Sequence, residues 1–315
     1  MKHVFTLLLG ALLLAHSAYA QTKDPVRQKL DQIFYYLDKS QVPTGRLAEA
    51  AVPLAPLQNF DGVSLSDTSR ADLDVFRHLY ATAQSSRVSG ADTLPSLSTF
   101  NRRVLAAAPT TSSGAIPVAV QYIGYASLRE DAETAGLVRF QNEQLFDVTG
   151  RSESPYQTAV LFAAAPERTY SATPTVSLVL RRNLYLATGT RLTTSPTLSI
   201  DFGDGQGYRA ATWNQPLSTT YATSGAKRVK IRLSYPYYSG KLRVPEGDDV
   251  RESWFDLTVF APATTANRGG ATTANYPVET PPGSTEGFTA VFRSVYVAAA
   301  RVCTTKLCLL SREGP

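Results

Sequence analysis

The spacing of apolar residues divides the chain into two regimes. Up to about residue 110 apolar side chains recur at helical intervals, and from Ile116 onward they alternate with polar ones. Asp24-Pro25 reads as a helix start, with Asp at the N-cap and Pro in the first turn, where its missing N–H costs nothing. Val26, Leu30, Ile33, Phe34 and Leu37 then line one face, and the run from Asp38 to Gly45 ends the helix. A second helix is expected from about Ser69 to Ala83, with Leu73, Phe76, Leu79 and Tyr80 on one side. A third runs from about Leu97 to Ala107, with Leu97, Phe100, Val104 and Leu105 as its stripe. Such stripes pack on one another or on a sheet, and a partner-binding face is their other use.

Beyond them Ile116, Val118, Val120 and Tyr122 alternate as in a strand. Leu137-Val138-Arg139-Phe140 and Leu145-Phe146-Asp147-Val148 flank Gln141 to Gln144 as a hairpin. Further strands are expected at Thr158 to Ala163, Thr175 to Leu180, Asn183 to Ala187, Thr197 to Phe202, Tyr208 to Trp213, Lys227 to Leu233 and Trp254 to Phe260. Turn signals about every ten residues favour a β-sandwich over a parallel α/β sheet. The fold class expected is therefore mainly β with an α-helical N-terminal segment. Residues 21–113 form the helical region and residues 114–262 the β region.

The first twenty residues change the compartment. Lys2 and His3 precede an apolar run from Val4 to Leu14, and Ala18-Tyr19-Ala20 is a small-x-small cleavage site. This is the pattern of a signal peptide over residues 1–20, and its apolar run is too short to span a bilayer. The expectation is an exported protein, at the cell surface, outside the cell or in a periplasm, with no membrane span. Cleavage also removes His3 and His16, so His78 alone remains of the three histidines. A histidine metal site or a Ser-His triad would have to run through it. His78 stands in a helical pattern beside Leu79, which suits a surface or partly packed helix residue. The net charge of +5 is mild and its cations are scattered, so nucleic acid is not implied. No catalytic motif is present, although a pair of carboxylates could still serve a hydrolase.

The most distinctive stretch is Ile200-Asp201-Phe202-Gly203-Asp204-Gly205-Gln206-Gly207-Tyr208, set between two strands. Gly203, Asp204 and Gly205 tolerate the left-handed conformations that reverse a chain. The carboxylates of Asp201 and Asp204 either close that turn on backbone amides or supply two ligands to a calcium ion, which wants six to eight oxygens. Tyr221-Ala222-Thr223-Ser224-Gly225 precedes the next strand, and Tyr221 is placed to reach a backbone partner as a tyrosine corner does. This order of strand, Asp-Phe-Gly-Asp-Gly turn, strand, Tyr-x-x-x-Gly and strand resembles the PKD-like domain over residues 170–262. The resemblance implies an immunoglobulin-like β-sandwich that binds or spaces rather than catalyses, in which Gly203, Gly205, Tyr221 and Gly225 are structural. A second likeness, over residues 30–260, joins Ile33-Phe34-Tyr35-Tyr36-Leu37-Asp38-Lys39-Ser40-Gln41-Val42-Pro43-Thr44-Gly45-Arg46-Leu47 with Arg151-Ser152-Glu153-Ser154-Pro155-Tyr156 and with the run from Asp201 to Tyr208. It is similar to the N-terminal part of large secreted proteins of Bacteroidetes-type bacteria, and it implies secretion.

Aromatic residues offer ligand contacts. Tyr235-Pro236-Tyr237-Tyr238 reads as an exposed loop, so Tyr235, Tyr237 and Tyr238 are candidates for stacking on a ligand. Trp213 and Trp254 are either a carbohydrate platform or core. After Pro262 the composition shifts: Ala263-Thr264-Thr265-Ala266-Asn267 recurs as Ala271-Thr272-Thr273-Ala274-Asn275 in a Pro/Gly/Thr/Ser stretch. Residues 263–287 read as a flexible linker. Residues 288–315 read as an irregular tail holding both cysteines, Cys303 and Cys308, which could pair into a small loop outside the cell. A linker followed by so short a tail suggests a truncated or frameshifted end.

Three functions remain open on these grounds. The first is a secreted non-catalytic binding or spacer module that recognises extracellular polysaccharide or a cell-surface protein. The second is the accessory N-terminal part of a larger exported enzyme. The third is a carboxylate-pair hydrolase. No cofactor is implied besides the candidate calcium.

Overall fold

The structure is a computed structural model that describes residues 25–90, 94–111, 114–189, 195–236, 238–239, 242–243 and 248–260. The expected signal peptide (1–20), the expected linker (263–287), the expected tail with Cys303 and Cys308, and Tyr237 lie outside the described residues. Among the described residues no helix is long and apolar enough to cross a membrane. The protein is mainly β, and it forms two compact units that interleave along the sequence.

The first unit takes residues 25–52, 83–90 and 125–159. Helix α1 (Pro25–Ile33) stops earlier than its apolar stripe suggested, but Phe34 and Leu37 stay buried in the turns that follow. They join Leu30, Val42, Leu47, Ala126, Val138, Leu145 and Tyr156 in one core. Strands β2 (Val138–Gln141) and β3 (Gln144–Asp147) make the expected hairpin. Its two-residue turn puts Asn142 and Glu143 at φ 51° and 60°. Both values are left-handed, which gives the turn the twist of the strands it joins. The chain around Gly45 is tied down by Val88 N–H to the Gly45 carbonyl (2.9 Å), Leu47 N–H to Ser86 (2.8 Å) and Ala126 N–H to Arg46 (2.8 Å).

The second unit takes residues 53–82, 94–124 where described, and those from 160 onward. Helix α2 (Leu73–Ser85), most of which falls in this unit, starts after Asp72, whose carboxylate accepts from Asp74 and Val75 N–H. Helix α3 (Leu97–Ala107) has the predicted bounds and Ser96 as its N-cap, accepting from Thr99 N–H. Phe76, Tyr80 and Phe100 bring the two helices together, with ring centroids 5.3 and 5.7 Å apart. Leu105 departs from the predicted stripe: it is 73 % exposed. His78 is half-buried on α2.

Two sheets follow. One has the order β4 (Tyr156–Pro166), β1 (Ile116–Leu128), β6 (Thr175–Ala187) and β9 (Leu217–Thr220). The other has the order β5 (Tyr170–Ser171), β13 (Asp249–Val259), β10 (Gly225–Tyr235), β7 (Thr197–Asp201) and β8 (Tyr208–Ala211). The pairings are mixed, because β1 runs parallel to β6 and β5 parallel to β13. A separate pair joins β11 (Tyr238–Ser239) to β12 (Leu242–Arg243). Alternate residues of both large sheets meet in one core, which takes Val118 and Val120 from β1, Leu178 from β6, Ile200 from β7, Ile231 and Leu233 from β10 and Leu257 from β13. The two strands expected at Thr175 to Leu180 and Asn183 to Ala187 are one, β6. Its register against β1 jumps: Val118 faces Leu180 but Val120 faces Tyr185, so residues 181–184 stand opposite Ala119 alone.

Candidate functional site

The Asp-Phe-Gly-Asp-Gly turn joins β7 to β8, and its polar groups are used within the turn. Asp201 Oδ1 accepts from Gly203 N–H (2.8 Å). Asp204 Oδ1 accepts from Gln206 N–H (3.1 Å), and its Oδ2 accepts from the Thr219 hydroxyl (2.6 Å) and from Arg209 Nη2 (2.8 Å). The same guanidinium lies 4.5 Å over the Phe202 ring. Burial would raise the Asp204 carboxyl, but Thr219, Gln206 and Arg209 outweigh it and hold the group below the usual carboxylate range. Gly203, Gly205 and Gly207 have φ of 67°, 84° and 69°, and Gly225 opens β10 at φ 112°. The Tyr221 hydroxyl donates to the Phe202 carbonyl at 2.6 Å, so the aromatic corner expected from the sequence is formed. Burial, the main cause, with the charge of Asp204, pushes the Tyr221 phenol upward, which keeps that proton in place.

The calcium alternative does not fit this arrangement. An ion at Asp204 would have to displace the Arg209 guanidinium, and Asp201 adds only one carboxylate. Among the described residues no three His, Cys, Asp or Glu side chains gather as ligands.

The aromatic candidates separate. Tyr235 is corrected: it is the last residue of β10, fully buried, with its hydroxyl bonded to that of Tyr185 and its ring 5.3 Å from Tyr122. Its parity with Val229, Ile231 and Leu233 was the signal for this, and the following proline suggested a loop instead. Tyr238 pairs across β11–β12 with Arg243. Trp254 is core, its Nε1 donating to the Ser66 carbonyl (3.1 Å) with Arg228 stacked 3.9 Å above it. Trp213 packs half-buried against the same core as the sheets. Neither Trp presents a free platform.

An exposed aromatic shelf lies in the first unit instead. Tyr35 and Tyr36 are 69 % and 51 % exposed. Tyr36 stacks on Phe146 of β3 at 4.6 Å and 14°, Tyr35 meets Tyr36 edge-on at 4.9 Å, and Arg139 lies 5.3 Å over the Phe146 ring. The loop after α1 is fixed to the hairpin beside it. Asp38 N–H bonds to the Asp147 carboxylate, and Arg151 bonds to both Asp147 and Gln41. The Ser40 hydroxyl, then the Gln41 amide, hold the Asp38 carboxyl low. Two of the three stretches of the second sequence likeness, residues 33–47 and 151–156, meet through the Arg151–Gln41 bond, whereas residues 201–208 belong to the second unit. In sequence, two adjacent tyrosines at the end of an apolar stripe were the available sign, since both cannot face inward on a helix.

Comparison with protein-family models, with curated proteins and with solved structures finds no match for the chain.

Proposed function

We propose that this chain is an exported, non-catalytic module that binds extracellular polysaccharide or a cell-surface protein. The observation that carries the reading is the state of its most distinctive motif. Both carboxylates of the Asp-Phe-Gly-Asp-Gly turn are held by the turn's own amides, Thr219 and Arg209, so the motif serves structure. The Tyr221 bond to Phe202 is what favours a PKD-like, immunoglobulin-like β-sandwich for residues 170–262, whose core also takes residues of β1 and β4. The N-terminal pattern of residues 1–20 supports export.

The ligand face in this reading is the shelf of Tyr35, Tyr36 and Phe146. Exposed aromatic rings offer flat apolar area at a small cost in conformational entropy. Retention of the full chain on immobilised polysaccharides and on bacterial cells tests it. Tyr36→Ala should weaken retention by about tenfold, the order of losing one well-placed aromatic contact, with the melting temperature unchanged. Equal retention of the variant and the parent would remove the shelf as the ligand face.

A further inference from the structure

A second surface of the second unit has the chemistry of an acidic-sugar site. Where β6 carries more residues than its partner, Arg181, Arg182 and Asn183 sit opposite Ala119 alone. Extra residues of this kind bend a strand and re-aim its side chains. Here the distortion is held in place by Asn214, whose N–H donates to the Leu180 carbonyl (2.8 Å) and whose Oδ1 accepts from Arg182 N–H (3.1 Å). Asn214 adopts φ 64° to do this, a conformation that asparagine tolerates better than most residues. Arg182 lies over the rings of Tyr185 and Trp213, at 5.0 and 5.3 Å.

The result is an open cleft of about 460 Å³ lined by Arg181, Asn183, Asn214 and the segment from Ala106 to Pro109 at the end of α3. No acidic side chain lines it among the described residues. The Nε of Arg181 is buried without a hydrogen-bond partner among them. Arg181 lines the cleft as well, and an anion entering it would meet the guanidinium in a charge-assisted contact. The neighbours narrow the anion. Asn214 keeps two amide donors after its oxygen is used, Asn183 offers a donor and an acceptor, and the last carbonyls of a helix have no partner within it. Arg181 is the one cation among the lining residues, with Arg103 at the edge on the Asn183 carbonyl (3.4 Å), and this charge beside neutral donors and acceptors suits a carboxylate carried on a ring of hydroxyl groups.

We propose that this cleft binds a uronic acid residue of a polysaccharide, with Arg181 pairing to the carboxylate and Asn183, Asn214 and the end of α3 meeting its hydroxyls. The inference rests on the reading of the chain as a polysaccharide-binding module and adds the sugar chemistry at a site of its own. The test is calorimetric titration of the full chain with a tetragalacturonate, with a neutral tetrasaccharide and with a tetraglutamate peptide. The expected result is binding of the acidic oligosaccharide ahead of both others. Arg181→Gln should weaken it by about tenfold or more, the order for a charge-assisted bond, and Arg181→Lys less. Asn183→Ala, at an exposed position, should weaken it too, and this guards against a folding defect in the arginine variants. Equal affinity for tetraglutamate, or unchanged affinity in Arg181→Gln, overturns the proposal. Binding of the neutral sugar alone overturns it while leaving the polysaccharide reading intact. If neither sugar binds, and no polysaccharide or cell retains the chain, that broader reading falls as well.

Discussion

The Asp204 side chain is 8 % exposed and meets a hydroxyl, an amide and a guanidinium, so its charge is stabilised by the fold that surrounds it. Its carboxyl is lower in the folded chain than in the unfolded one, where it sits near ~3.9. The stabilisation is therefore present above that value and is lost as pH falls through the folded pKa. Asp204→Asn should be less stable than the parent at pH 7, and the difference should shrink below about pH 4 as the parent's carboxylate is protonated. Urea unfolding of both proteins at pH 7 and pH 3 checks this, and an unchanged gap would show that the ionised carboxylate is not its source. Single residues also mark where sequence reading ran out. Leu105 continues a helical stripe yet is exposed. Tyr235 obeys the alternation of its strand and is buried, although Pro236 argued for a loop.

Turns and the starts of α1 and α3 were the most legible elements, whereas α2 starts at Leu73 and not at about Ser69. The bounds of α3, the β2–β3 hairpin and the β7–β8 turn all follow from local chemistry: a Ser N-cap, an Asn at a left-handed position, and glycines spaced by Asp. The continuity of β6 was not legible, because two arginines in an apolar run look like a break. They are accommodated by a register jump that only the neighbouring strand β1 and Asn214 reveal. The β7–β8 turn also yields a graded prediction. A Cβ on Gly203 would lie 2.4 Å from the Arg228 carbonyl of β10, in a conformation with φ 67°, whereas Gly205 at φ 84° meets nothing within 4 Å. Gly203→Ala should cost about 3 kcal/mol, combining left-handed strain with displacement of a backbone. Gly205→Ala should cost about 1 kcal/mol, the strain alone. Thermal melts of the two variants should rank in that order, and equal losses would mean that β10 yields freely to the turn.

At the scale of the molecule, the expected order of a helical region followed by a β region holds along the sequence but not in space. Each compact unit draws on both, since hairpin residues join the core of α1 and helices α2 and α3 contribute to the unit of the large sheets. Long-range pairing of this kind leaves no trace in local periodicity. Of the expected tyrosine surface, Tyr235 is core, and the carboxylates of Asp201 and Asp204 accept hydrogen bonds within their turn. The proposed module binds without catalysing. Incubation of the full chain with each polysaccharide that retains it, with release of reducing ends followed over hours, tests that claim most directly. The expected result is retention with no release above the protein-free control. Reducing ends that accumulate in proportion to added protein would contradict it and return the carboxylate-pair hydrolase to first place.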